Sequence, residues 1–203
     1  APIHEFQVEG KKHYLVNEGE GPMWDGPASA KDVAKIVAEY SRQWGGLPYD
    51  KYVFFNMITE SGGGLEHKNS TWMGTSRWSY GNTQEAGEGP GAGGRRPSRL
   101  SWLGLVSHEY FHLWNVKRLR PVELGPFDYE NEDYTRSLWL AEGVTSYYGP
   151  LALRRSGLSN QAQFLRAISG AIGQLQTTPG RLVTTAEAAS FNAWIQSYRP
   201  NEN

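Results

Sequence analysis

The sequence predicts an α+β domain in which strands come first and helices follow. Strand patterns, alternating or continuously apolar, occupy about the first 75 residues. From Ser98 onward, apolar residues recur at helical spacing. The length of 203 residues, with eight Trp, eleven Tyr and seven Phe, is enough to bury one core without staples.

The elements follow in order. Ile3, Phe6 and Val8 alternate with polar residues and His13-Tyr14-Leu15-Val16 comes next, which predicts an edge strand or a hairpin. Residues 1–27 are read as an extended segment and linker carried over from something upstream, turn-rich from Gly19 to Pro27. Ser29 opens a helix, with Asp32 three residues on as in a capping box and Val33, Ile36, Val37 and Tyr40 as its apolar stripe. Gly45-Gly46 ends it. Tyr52 to Ile58 is an almost unbroken apolar run, the pattern of a buried strand. Ser61 to Gly64 reads as a loop and Ser70 to Trp78 as another strand. Residues 86–97 are Gly-rich with almost no apolar side chains, a surface loop. Their Gly-x-Gly-x-x-Gly pattern lacks a preceding strand and contains Pro90, so it does not indicate a nucleotide site. Helices follow over Ser98 to about Lys117, stopped by Pro121, and near Ser137–Tyr148, ended or kinked by Pro150. Further helices cover about Asn160–Leu175 and Ala186–Trp194, and an acidic loop, Asp128 to Asp133, lies between the first two.

Composition excludes several functions. The net charge of −1 offers no field for nucleic acid or an anionic membrane surface. With no cysteine there is no disulfide, thiolate metal site, iron–sulfur cluster or cysteine nucleophile. No apolar run approaches the roughly 18 residues of a membrane span.

His108-Glu109-Tyr110-Phe111-His112 follows the pattern HExxH on a predicted helix. Residues i and i+4 share a helix face, about 5–6 Å apart at Cβ, so two imidazoles can converge on one ion. Glu109 is rotated about 100° around the axis and falls beside the ion, where a base acting on water belongs. A catalytic zinc site needs a third protein ligand. His67, Glu123, Asp128, Glu130, Glu132, Asp133 and Glu142 are the candidates. Glu142 is the choice, because it stands alone in the apolar stretch Leu138–Val144, where an unpaired buried carboxylate is costly. Gly62-Gly63-Gly64-Leu65-Glu66-His67 allows a substrate backbone to lie close as an added strand, with Glu66 able to receive a free amino terminus. Lys117-Arg118-Leu119-Arg120 is expected to pair with the acidic loop.

Four segments together resemble the glycyl aminopeptidase family of metallopeptidases: HEYFHLWNVKRLRP from His108, GGGLEHKNST from Gly62, LWLAEGVTSYY from Leu138 and TTPGRL from Thr177. The resemblance implies a thermolysin-like domain, an N-terminal mixed sheet followed by a mainly helical part. It implies one zinc ion on His108, His112 and Glu142, with Glu109 as general base and acid. Gly63 and Gly64 would line the substrate, and Glu66 would hold its amine. It implies cleavage of a small N-terminal residue, Gly or Ala. It further implies a catalytic domain over residues 28–203 that is incomplete at its C-terminus, a β-rich domain upstream and a PDZ domain downstream. An oxyanion-stabilising tyrosine would lie beyond Asn203, with Tyr147, Tyr148 or Tyr198 as substitutes. The family is also similar to larger aminopeptidases that carry a Gly-Ala-Met-Glu-Asn loop, in whose place Gly63 to His67 stands; the 29 residues between His112 and Glu142 exceed the insert of those enzymes, and the detour has no counterpart there.

The function expected is therefore a zinc-dependent aminopeptidase acting on peptides with a free N-terminus, soluble in the bacterial cytoplasm or periplasm. Two rivals are a zinc endopeptidase with an open cleft and a metal-binding module that holds peptide without cutting it.

Overall fold

The computed structural model describes residues 1–60, 62–80 and 98–197. The expected loop 86–97 and Tyr198 lie outside them. Five strands form one mixed sheet: β1 (Ile3–Val8), β2 (Lys11–Glu18), β3 (Lys51–Ile58), β4 (Gly63–Glu66) and β5 (Ser70–Thr75), in the order β1-β2-β3-β5-β4. β1 and β2 form the antiparallel hairpin, and β2, β3 and β5 run parallel. β4 returns antiparallel to β5 and, among the described residues, is a free edge. Residues 3–18, read from the sequence as an upstream extension, thus supply two strands of this sheet. β2 joins β3 through Leu15 opposite Phe54.

Helix α1 (Gly26–Trp44) makes the crossover between β2 and β3. It starts three residues before the expected Ser29, because the Asp25 side chain accepts from the Ala28 amide at 3.0 Å and Pro27 fits the first turn. Asp32 is not part of a cap. It receives the Tyr80 hydroxyl at 2.6 Å and the Arg99 guanidinium at 2.8 Å. Gly45, at φ 75°, closes the helix in the left-handed conformation that favours glycine.

α2 (Arg99–Phe111) begins at a Ser98–Ser101 capping box and ends earlier than expected, with His112 as its C-cap. The chain tightens there: the amides of Val116 and Lys117 both donate to the His112 carbonyl. α3 (Leu138–Arg155) runs through Pro150, beyond the expected stop, losing one backbone bond in the process. α4 (Gln161–Thr177) follows, capped by Asn160 and Gln163. The last predicted helix is divided at Asn192 into α5 (Ala186–Phe191) and α6 (Ala193–Gln196).

The core lies between one face of the sheet and helices α1 and α2. Leu15, Tyr52, Phe54 and Met73 meet Val33, Ile36 and Val37 of α1 and Trp102, Leu103, Val106 and Tyr110 of α2. The α1 stripe is as the periodicity predicts. β3, expected to be buried throughout, is buried on one face only. Phe55 is 43% exposed beside Trp72 and Val16 on the outer face, because the described helices cover only the other side. Among the described residues, no helix is long and apolar enough to cross a membrane.

His13 of β2 is fully enclosed, stacked on Phe6 at 5.0 Å and hydrogen-bonded through Nε2 to the Tyr49 hydroxyl at 2.8 Å. Burial pushes its pKa down to about 4 from 6.5. The unfolded chain therefore binds the extra proton between these values, and stability falls as pH drops from about 6.5 through about 4. His13→Gln is expected to flatten this part of the profile. Wild type should lose roughly 3 kcal/mol more than the variant across the window, read by urea unfolding. Parallel profiles would show that His13 does not titrate in this way.

Candidate active site

Helical geometry and one interhelical contact set build the site. His108 and His112 lie one turn apart at the end of α2, with their Nε2 atoms 3.1 Å from each other. Glu142, on the second turn of α3, brings Oε2 to 3.2 Å from His108 Nε2 and 3.7 Å from His112 Nε2. α3 is held against α2 by Ser107, which is fully buried and donates through Oγ to the Gly149 carbonyl at 3.0 Å. Tyr40 of α1 meets the same hydroxyl at 3.0 Å.

Asn115 fastens the two ligand-bearing turns. Its carbonyl accepts from His112 Nδ1 at 2.7 Å, which turns Nε2 toward His108 and Glu142 and makes Nε2 the acceptor whenever the ring is neutral. Its side-chain Nδ2 donates to the Ala141 carbonyl at 2.9 Å and to Thr145 Oγ1 at 3.2 Å, flanking Glu142. Nothing in the sequence signals this role beyond an Asn placed three residues after His112.

The three residues fit a zinc ion. Two imidazole nitrogens and one carboxylate oxygen are a catalytic zinc donor set. Bonds of about 2.0–2.1 Å in tetrahedral geometry set donors roughly 3.3 Å apart, close to the spacings found here.

Electrostatics follow the same contacts. Burial works to raise the Glu142 pKa, but hydrogen bonds from both imidazoles outweigh it and hold the carboxyl at about 2. Burial works to lower that of His112, and Glu142 outweighs it, so the value is raised. Glu109 is pushed up to about 7 by burial, an effect reduced by the charges of His108 and His112. Its carboxylate packs against the backbone of Gly64 so closely that a Cβ there would collide with it. Gly64 thus brings the free edge of β4 alongside Glu109.

Glu66, two residues on, offers an oxygen within 4.8 Å of ligand atoms of Glu109 and His112. Its Oε1 is 3.2 Å from Lys117 Nζ. Glu66, His108, Glu109, His112 and Glu142 line one cleft of about 650 Å³, whose lining also includes Phe127, Asp128, Tyr129, Asp133 and Trp194.

The structure gathers His108, Glu109, His112, Glu142, Gly64 and Glu66, with Gly63 opening β4 at φ 97°. Three expectations need correction. Glu142 is not a buried lone carboxylate. Its side chain is 42% exposed to the cleft, and Trp139 and Leu140 beside it are exposed too. The basic cluster does not pair with the acidic loop: Lys117 meets Glu66, Arg118 donates to the Pro48 and Leu113 carbonyls, and Arg120 lies over the Phe127 ring. The Gly62–His67 segment is not all loop, since Gly63 to Glu66 pair with β5 as a strand. His67 turns away, its Nδ1 3.2 Å from the Leu65 carbonyl. Tyr148 packs on Phe111, and Tyr147 lies edge-on to Tyr148.

This fold is that of a known peptidase class. It superposes with a TM-score of 0.87 and 32% identity on the crystal structure of an aminopeptidase N family protein from Idiomarina loihiensis. The match covers 100% of this chain and 33% of that one, so the chain spans about a third of that protein's length. Residues 101–203, about half the chain, match the M61 glycyl aminopeptidase family, and the chain belongs to that family. No curated protein matches it.

Proposed function

We propose that this chain carries the catalytic site of a zinc aminopeptidase that releases a small N-terminal residue, Gly or Ala, from peptides. The observation that carries this reading is the position of Glu66. Its carboxylate lies within 4.8 Å of Glu109 and His112, so an ammonium held there is one residue away from a carbonyl at the His108–His112–Glu142 cluster.

In this reading the peptide adds to the free edge of β4 through backbone hydrogen bonds, and Gly63 and Gly64 let it approach. Glu66 receives the substrate ammonium on the carboxylate that Lys117 already contacts. His108, His112 and Glu142 would hold zinc. When bound, zinc supplies Lewis acidity, which polarises a carbonyl and acidifies water. Glu109 takes the proton of the attacking water and delivers it to the leaving amine. The carbonyl of Asn115 fixes the His112 tautomer.

The test compares free and N-acetylated alanyl peptides. Acetylation is expected to lower kcat/KM at least a hundredfold. Glu66→Gln should raise KM for the free peptide about 10- to 100-fold, the range for one hydrogen bond between charged groups. Equal cleavage of free and acetylated peptides would replace this reading with an endopeptidase.

A further inference from the structure

Two cavities meet at Phe127. One is the cleft that contains the cluster and Glu66, about 650 Å³ in volume. The other, about 520 Å³, is lined by Lys68, Lys117 and Arg120 among others. Phe127 and Tyr129 line both and therefore form the partition. Tyr129 is almost wholly exposed, whereas Phe127 is half-buried and held in place. Lys117 Nζ lies 4.7 Å from the centre of its ring and the Arg120 guanidinium lies 4.9 Å from it. The same Lys117 ammonium touches Glu66 at 3.2 Å. Glu66 thus lies within 4.8 Å of Glu109 and His112 on one side and in contact with Lys117, which reaches over Phe127, on the other.

An extended residue needs about 3.3–3.6 Å of length. Glu66 lies within 4.8 Å of Glu109 and His112, a separation of the order of one extended residue. A preceding residue would have to run through the place taken by Lys117 and Phe127. We propose that Phe127, braced by Lys117, ends the cleft on the amine side and so determines that cleavage occurs only at the chain end. This rests on the aminopeptidase reading. It also gives the segment between Pro121 and Asp133 a task, since that segment presents Phe127 to the cleft.

The test is the ratio of kcat/KM for an N-acetyl-alanyl anilide to that for the free alanyl anilide, measured on zinc-loaded wild type, Phe127→Ala and Phe127→Leu. Zinc content and thermal melting are checked on each. The ratio is expected to rise at least tenfold in Phe127→Ala, and by less in Phe127→Leu, which keeps more of the bulk. A ratio at the wild-type value in both folded variants overturns the proposal while leaving the aminopeptidase reading intact. A wild-type ratio near one overturns the aminopeptidase reading itself, and this proposal with it.

Discussion

Glu109→Gln is expected to reduce peptide hydrolysis by 10²- to 10⁴-fold while zinc stays bound, the range for loss of a positioned general base. The substitution keeps shape and burial but removes the ability to accept and pass on a proton. Glu109 is 5% exposed, packed against the Gly64 backbone, and the His108–His112–Glu142 cluster closes without it. The metal content of the variant should therefore match that of wild type, and its melting temperature should stay close. Zinc per chain and kcat/KM are measured on the same preparation. Turnover within threefold of wild type would remove Glu109 from the proton-transfer role.

Glu142→Ala is expected to weaken zinc binding by more than a hundredfold and to abolish activity at stoichiometric zinc. A partner that merely orients a ligand is worth about 10- to 100-fold in affinity, and a ligand itself is worth more. The side chain is part-exposed to the cleft, so its removal leaves no core cavity; the metal-free protein loses the contacts to His108 and His112 and should melt modestly lower but still fold cooperatively. Competition against a chelator reads the affinity, and melting of the metal-free form reads the fold. Unchanged affinity would mean that the ion is held by other donors. The neighbouring group Glu66, Glu109 and His112 is then the set to test.

The two variants divide the site along the line at which the sequence stops being informative. The pair His108 and His112 is legible because a single helix turn places them, whatever the rest of the chain does. Glu109 follows from the same turn. Glu142 is legible as an odd residue in an apolar stretch, but the reason differs from the one the sequence suggests. It is not enclosed; it faces two imidazoles across a cleft.

Other features have no local signal. Gly63-Gly64-Leu65-Glu66 has the composition of a loop, and it becomes a strand only because β5 offers partners from Thr71 to Gly74. Lys117 stands in a basic run and gives no sign that its partner is Glu66, about 50 residues earlier. Asn115 looks like any turn residue until α3 arrives beside it. Helix α1 illustrates a smaller miss: the expected start is Ser29, but the Asp25 side chain accepts from the amide of Ala28 and caps the helix, which starts three residues earlier.

The sequence by itself determined what one helix or one apolar stripe can carry: the order of strands and helices, the α1 face that enters the core, and the HExxH pair with its glutamate. These depend on patterns within a few residues: alternation or apolar runs for the strands, and helical spacing for the rest. Only the tertiary structure decided that Glu142 completes the cluster, that β4 is the free edge beside Glu109, and that Lys117 and Phe127 stand next to Glu66. Those distances join residues far apart in the chain. They are set by how α3 docks on α2 through Ser107 and Asn115, and by how β4 folds back on β5, neither of which any local pattern specifies.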